Sequence, residues 1–201
     1  MTTDQLESEI AYMKSLAVSG GRGPLRNGAN LFWAGLLYGA AAIGQYAIIK
    51  GYLPQGLWVS AGLWLGVSLA YAVIIAMTVS GRKCAEAPGS RASHSAWSAV
   101  ALGLLSFFSA MIVMANMAPA EFNTMSFLLA PVVLVLYGVG WWVSATASGT
   151  SWLRMVALGC FAGAPTLCLL TNRPEQLLAY AAALVLFAMI PGYALMRAEK
   201  A

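Results

Sequence analysis

The chain has 201 residues, of which 60% are hydrophobic and 9% are charged, and its mean hydropathy is +0.75. Soluble domains carry roughly 25% charged residues, so this composition excludes an ordinary soluble domain and indicates that membrane lipids surround the protein. The net charge of +4 does not indicate a nucleic-acid partner, because the basic residues are scattered between apolar blocks.

Residues 2–18 predict a short amphipathic helix. Leu6, Ile10, Met13 and Ala17 recur at helical spacing and form one apolar stripe, and the polar face is mainly acidic. Helices that lie on anionic lipid favour Lys and Arg on the polar face. We therefore expect this helix to make a protein contact on the cytoplasmic side, either with the chain's own inner loops or with another chain.

A glycine-rich hinge follows, SGGRGPLRNGANLFW over residues 19–33. It lacks the P-loop pattern and no strand precedes it, so neither a phosphate cradle nor a dinucleotide turn is indicated. Arg22 and Arg26 are expected near anionic headgroups of the inner leaflet, which contributes about 1 kcal/mol each. Specific headgroup binding by these two arginines is the less favoured alternative.

Six apolar segments are long enough to cross a hydrocarbon core of ~30 Å, which takes about 20 helical residues. They run over Leu31–Ile49, Leu57–Val79, Ala96–Met117, Met125–Thr146, Trp152–Leu170 and Gln176–Met196. The predicted fold is all-α. Residues 1–30 form the cytoplasmic amphipathic helix and hinge, residues 31–196 a polytopic bundle of six transmembrane helices, and residues 197–201 a cytoplasmic tail.

The distribution of basic residues predicts the orientation of these spans. With the N-terminus inside, only Lys50 and Arg173 of the 11 Lys and Arg residues fall on the outer side. This positive-inside bias predicts that both termini are cytoplasmic and that the protein is integral to a plasma membrane, of the bacterial inner-membrane type.

Small residues recur within three of the spans. Gly-x-x-x-Gly pairs let helix backbones approach closely, and they occur at Gly35 and Gly39, at Gly62 and Gly66, and at Gly159 and Gly163. Packing inside the chain's own bundle is the favoured interpretation, and contact between two protomers is the alternative. Pro131, Pro165 and Pro191 each remove a helical hydrogen bond and predict kinks in the last three spans.

No Asp, Glu, Lys, Arg or His lies in the middle of a span. Such residues mark proton relays and ion pathways, and catalysis needs paired acid, base or nucleophilic groups. The three cysteines have no metal-ligand spacing. We therefore expect no enzyme, metal site or cofactor. Four polar residues are candidates for an outer rim that lines an outward-facing cavity: Gln45, Asn116, Glu121 and Arg173. Hydrogen bonding between neighbouring helices is the favoured alternative for such residues.

These features favour a non-catalytic membrane protein that acts through helix–helix association, as an accessory, assembly or regulatory subunit or as a self-associating scaffold. A homo-oligomer or a membrane-protein partner is expected. The alternative is a channel or carrier for a small neutral or apolar solute, not proton-coupled through an intramembrane acid.

Overall fold

The computed structural model describes residues 9–10, 12, 28–80 and 88–199. The described chain is 90% helical and contains no strand, so the predicted all-α class is confirmed. Of the predicted N-terminal helix only residues 9, 10 and 12 are described, as helical. The rest of that helix, the hinge with Arg22 and Arg26, and the last two residues of the tail lie outside the described residues.

The helices are α1 (Gly28–Ile49), α2 (Leu57–Ser80), α3 (Pro88–Met117), α4 (Pro119–Met125), α5 (Leu129–Ser148), α6 (Ser151–Cys168), α7 (Glu175–Leu184) and α8 (Ile190–Ala198). A 3-10 turn, Ser126–Leu128, leads from α4 into α5, and a π-helical turn, Val185–Met189, leads from α7 into α8. With these junctions counted as continuous, the described chain forms six helices, five of which are long and apolar enough to cross a membrane.

Successive helices alternate in direction, so their ends meet at two opposite ends of the bundle. One end, here the Lys50 end, holds Lys50 beside the start of α7 and the turn that leads into α5 beside the end of α6. The other, here the Arg154 end, holds the start of α1 beside the end of α8. The two basic residues predicted on the outer side, Lys50 and Arg173, therefore share one end.

Three helices differ from the predicted spans. α3 begins at Pro88, a residue that suits the first turn of a helix, so the polar stretch before Ala96 continues the helix outside the apolar span. α6 has 18 residues with Arg154 in its first turn, and it is not among the five apolar helices. The fourth helix begins at Pro119 rather than at the predicted Met125, because α4 and the 3-10 turn precede α5. By contrast, α1 ends at Ile49 and α2 begins at Leu57, as predicted.

The core lies between α1, α5, α6 and the α7–α8 helix. Its largest fully buried side chains include Trp141, Leu134, Leu153 and Leu184. α2 packs on α1, and α3 packs on α5. None of the described α2 side chains is buried, so α2 is attached to the outside of this core.

Glycines allow α1 to approach the α7–α8 helix closely. A Cβ atom on Gly35 would lie 2.7 Å from the backbone nitrogen of Met189, at the end of the π-helical turn. A Cβ atom on Gly192 would lie 2.5 Å from the backbone nitrogen of Phe32. Because both neighbours are backbone atoms, neither can rotate away, and a larger residue would separate the helices.

Pro191 leaves a backbone carbonyl without its helical donor, and another helix supplies one. Proline has no N–H, so the carbonyl of Phe187, four residues earlier, cannot form the usual helical bond. The indole Nε1 of Trp141 in α5 donates to this carbonyl at 2.8 Å. An unpaired carbonyl in an apolar interior is costly, so this bond accommodates the irregular turn.

Pro131 has a matching partner in Gln176. The carbonyl freed by Pro131 is that of Phe127, and the Gln176 amide donates to it at 3.1 Å. The same amide donates at 3.0 Å to the carbonyl of Leu167 in the last turn of α6, which also accepts from the backbone N–H of Leu170. Gln176 is only 5% exposed, and it joins the beginnings of α5 and α7 to the end of α6.

Candidate functional site

The four polar residues predicted at an outer rim do not bond to one another in the described structure. Asn116 is exposed and donates to the carbonyl of Ile112 in its own helix at 2.7 Å. Glu121 is exposed on α4, and Arg173 is exposed in the connection between α6 and α7. Gln45 lies between two helices and has partners of another kind.

The amide of Gln45 links α1 to α2. Its Nε2 donates to Ser60 Oγ at 3.2 Å, and its Oε1 accepts from Trp64 Nε1 at 3.2 Å. At the Arg154 end of the same interface, Thr78 Oγ1 donates to Asn30 Oδ1 at 2.9 Å. Side-chain hydrogen bonds thus join α2 to α1 at both ends of an interface that buries little surface.

A second polar cluster joins α3 to α5. Ser144 is fully buried, and its hydroxyl accepts from Trp97 Nε1 at 3.0 Å. Ser93 and Ser144 share a hydrogen bond of 2.8 Å between their hydroxyls. These groups satisfy one another, so they account for the burial of two serines without any ligand.

Four tyrosines from four helices meet near the middle of the bundle: Tyr38 in α1, Tyr71 in α2, Tyr137 in α5 and Tyr180 in α7. The rings of Tyr38 and Tyr71 meet edge to face, with centroids 5.7 Å apart. Tyr137 and Tyr180 are each 8% exposed and belong to the same buried core cluster, and Tyr38 packs against that cluster. This group, here the tyrosine cluster, is the candidate functional site.

The hydroxyls of the tyrosine cluster differ in their bonding. That of Tyr38 donates to Ser68 Oγ in a long bond of 3.4 Å. Within the described ranges, the hydroxyls of Tyr71, Tyr137 and Tyr180 make no hydrogen bond. Phenols inside proteins usually find a partner, so three free hydroxyls close together are a departure that calls for a chemical explanation.

The glycine pairs of α1 and α6 face other helices. Gly35 touches the π-helical turn, and a Cβ on Gly39 would lie 3.9 Å from the carbonyl of Ala181. In α6, a Cβ on Gly159 would lie 2.5 Å from the ring of Phe187. A Cβ on Gly163 would meet a methyl group of Leu134 at 3.2 Å.

The glycine pair of α2 is different. A Cβ atom on Gly62 or Gly66 would have none of the described residues within 4 Å. Both residues lie on the exposed side of α2, together with Ala70 one turn further along. The contacts of α2 with α1 are made by the opposite side, through Ser60 and Trp64.

α6 and α7 diverge and leave an open groove of about 580 Å³. Its lining is almost entirely apolar, and the hydroxyl of Thr166 within it donates to the carbonyl of Gly163 in its own helix. Ligand sites need converging polar groups that fix orientation, and this groove presents none that is free.

The charges at the Lys50 end form one ion pair. Lys50 Nζ lies 2.9 Å from Glu175 Oε1, and both side chains are partly exposed. This hydrogen bond raises the pKa of Lys50 above its usual value. The pair connects the end of α1 to the start of α7, which is a structural role rather than a chemical one. In the described part of the chain, no three His, Cys, Asp or Glu residues could together hold a metal ion.

Sequence reasoning did not single out the tyrosine cluster, Trp141 or Gln176. A usable signal exists for the tyrosines, since tyrosine in membrane helices is typical of the two interfaces. Tyr38, Tyr71 and Tyr137 instead lie well inside apolar runs. For Gln176, the usable signal has two parts. Gln176 is a single amide side chain at the start of a span, and Pro131 leaves the carbonyl of Phe127 without its helical donor.

Comparison of the chain with protein-family models, with curated proteins and with solved structures gave no match.

Proposed function

We propose that this protein is a non-catalytic integral protein of a bacterial-type inner membrane, with six crossings and cytoplasmic termini, that acts by associating with a second copy of itself. Five sufficiently apolar helices support the membrane setting. The single observation that carries the association is the outward face of α2. Gly62, Gly66 and Ala70 form a ridge there, here the α2 ridge, with no neighbour at the two glycines.

The glycines of the α2 ridge differ in their packing from the glycines of other helices. Glycine in a helix interior costs roughly 0.5–1 kcal/mol relative to alanine, and close packing offsets that cost. Gly35 and Gly192 make such contacts within the chain. Gly62 and Gly66 make none with the described residues, and a second copy of the chain is the partner proposed for them.

A second copy is the partner that the α2 ridge suits best. All copies insert in the same orientation, so a two-fold axis along the membrane normal would place two α2 helices parallel to each other. Parallel Gly-x-x-x-Gly faces are self-complementary and pack at short range, and lipid supplies no competing hydrophobic driving force. The other sides of α2 carry larger residues such as Leu65 and Trp64.

The experiment measures the monomer–dimer equilibrium of labelled protein in nanodiscs or liposomes by energy transfer, at increasing dilution in lipid. Gly66→Ile is expected to weaken dimerisation at least tenfold, because about 1.4 kcal/mol of close contact is lost. The matched control is Ala72→Ile, which introduces the same side chain at an exposed position beside the α2 ridge and should change the equilibrium less than twofold.

Two results would count against the proposal. One is a wild-type protein that stays monomeric at every dilution in lipid. The other is an equal effect of Gly66→Ile and Ala72→Ile, which would mean that added bulk rather than the α2 ridge matters. Thermal unfolding of each variant in detergent checks that the monomer itself is intact.

A further inference from the structure

We propose that the space beside Tyr71, Tyr137 and Tyr180 binds a small uncharged solute that carries both a hydrogen-bond donor and an acceptor. The bonding and burial of these three phenols support this assignment, and neither depends on the proposed pairing through α2.

The three hydroxyls have no protein partner although their side chains are largely enclosed. Tyr137 and Tyr180 are each 8% exposed, and no hydrogen bond of theirs exists within the described ranges. The neighbouring groups that satisfy polar atoms elsewhere are already committed. Ser68 bonds to Tyr38, and Ser144 bonds to Trp97 and Ser93.

These hydroxyls are nevertheless not sealed in the core. Among the described side chains that are not exposed, no nitrogen or oxygen is both fully covered and without a partner. Because the hydroxyls of Tyr137 and Tyr180 have no partner, neither oxygen is fully covered by the protein. α2 packs mainly on α1 rather than on α5 or α7.

A polar occupant is favoured by energy. A hydroxyl left unpaired in an apolar setting is costly, and three unpaired hydroxyls come from neighbouring helices here. Each phenol can donate one hydrogen bond and accept another, so the site suits a molecule with both kinds of group. An apolar solute would leave these groups unpaired.

Charge is excluded by the surroundings. No ionisable acid or base of the Asp, Glu, Lys, Arg or His type lies in the middle of any span, and the described charged residues lie at the ends of the helices. An ion at this depth would lose its hydration without a counter-charge, which is strongly unfavourable. The ligand class is therefore a small neutral amide or polyol.

The test uses acetamide as the probe and acetate as its charged isostere. Saturation-transfer NMR on the full chain in nanodiscs is expected to show contact with acetamide, above that of protein-free nanodiscs, and none with acetate. The double variant Tyr137→Phe, Tyr180→Phe keeps both rings and should reduce the acetamide signal at least fivefold. Tyr193→Phe, an exposed position on α8, is the control and should leave the signal unchanged.

Thermal unfolding gives a second readout. Because the two hydroxyls have no partner in the protein, the double variant should melt at the wild-type temperature or above it. A marked fall in melting temperature would overturn the proposal, since it would mean that the hydroxyls bond within the protein. An acetamide signal that is absent, or that is equal in wild type and double variant, would also overturn the proposal. It would mean that water, not a solute, occupies the space beside the three phenols.

Discussion

Gly35→Ala and Gly39→Ala should change the stability of the protein in opposite directions. The two residues belong to the same motif and the same helix, and they face the same neighbour. A Cβ on Gly35 would lie 2.7 Å from the backbone nitrogen of Met189, whereas a Cβ on Gly39 would lie 3.9 Å from the carbonyl of Ala181. Only the first distance is shorter than a van der Waals contact.

The structure sets the size of the two effects. To restore a tight contact of 3.4 Å at Gly35→Ala, α1 and the π-helical turn must separate by ~0.7 Å. A gap of that size forfeits a quarter to a half of each dispersion contact along the interface. Overpacking of this kind costs about 1–3 kcal/mol. Gly39→Ala gains helix propensity without a clash and should be neutral or more stable by up to about 1 kcal/mol.

Unfolding in mixed micelles of mild detergent and sodium dodecyl sulfate, followed by tryptophan fluorescence and circular dichroism, measures both effects on one scale. Gly35→Ala should unfold at a lower fraction of dodecyl sulfate than the wild type, and Gly39→Ala at an equal or higher one. The reasoning fails if the two variants are destabilised equally, because the pair would then act through a property other than the distance to the α7–α8 helix.

Three further predictions concern separate parts of the molecule. Trp141→Phe should lower the free energy of unfolding by about 1 kcal/mol, because the Phe187 carbonyl loses its hydrogen-bond donor. The loss should be smaller in a Pro191→Ala background, where residue 191 regains an N–H, and a double-mutant cycle measures the difference. The ion pair raises the pKa of Lys50 and lowers that of Glu175, so its stabilisation should be complete between pH 4.5 and pH 10.5. It should be lost as pH rises through the raised pKa of Lys50, and Lys50→Met should remove this alkaline step from the pH dependence of the melting temperature. Arg173→Cys in a cysteine-free background should react with a membrane-impermeant maleimide from the periplasmic side, and labelling from the cytoplasmic side alone would overturn the proposed orientation.

The positions of the helices could be predicted from the sequence because the apolar runs are long and their boundaries are chemically sharp. The charged and turn-forming residues KGYLPQG separate α1 from α2, and the observed ends at Ile49 and Leu57 agree. α3 could not be bounded in this way at its start. Its first turns are helical but polar, and hydropathy identifies the apolar part of a helix, not the helix itself.

The side-chain partnerships were beyond sequence reasoning because they depend on which helices become neighbours. Pro131 and Pro191 predict two carbonyls without helical donors, and that much is local chemistry. That Gln176 and Trp141 supply the missing donors depends on the placement of α7 and α5. The same limit applies to glycines: the sequence contains three similar pairs, but only the structure distinguishes two that face a helix from the one at Gly62 and Gly66 that does not.

The two proposals meet in α2, because this helix carries the α2 ridge on one side and Tyr71 on the other. None of the described α2 side chains is buried, and α2 is joined to α1 by polar contacts such as those of Gln45 and Thr78 and by ring contacts of Tyr38. A helix held in this way has little core packing to fix its position. Contact between two copies along the α2 ridge would restrain it, and with it the Tyr71 wall of the tyrosine cluster. If both proposals hold, Gly66→Ile should weaken the acetamide contact as well as the dimer, whereas Tyr137→Phe with Tyr180→Phe should weaken only the former.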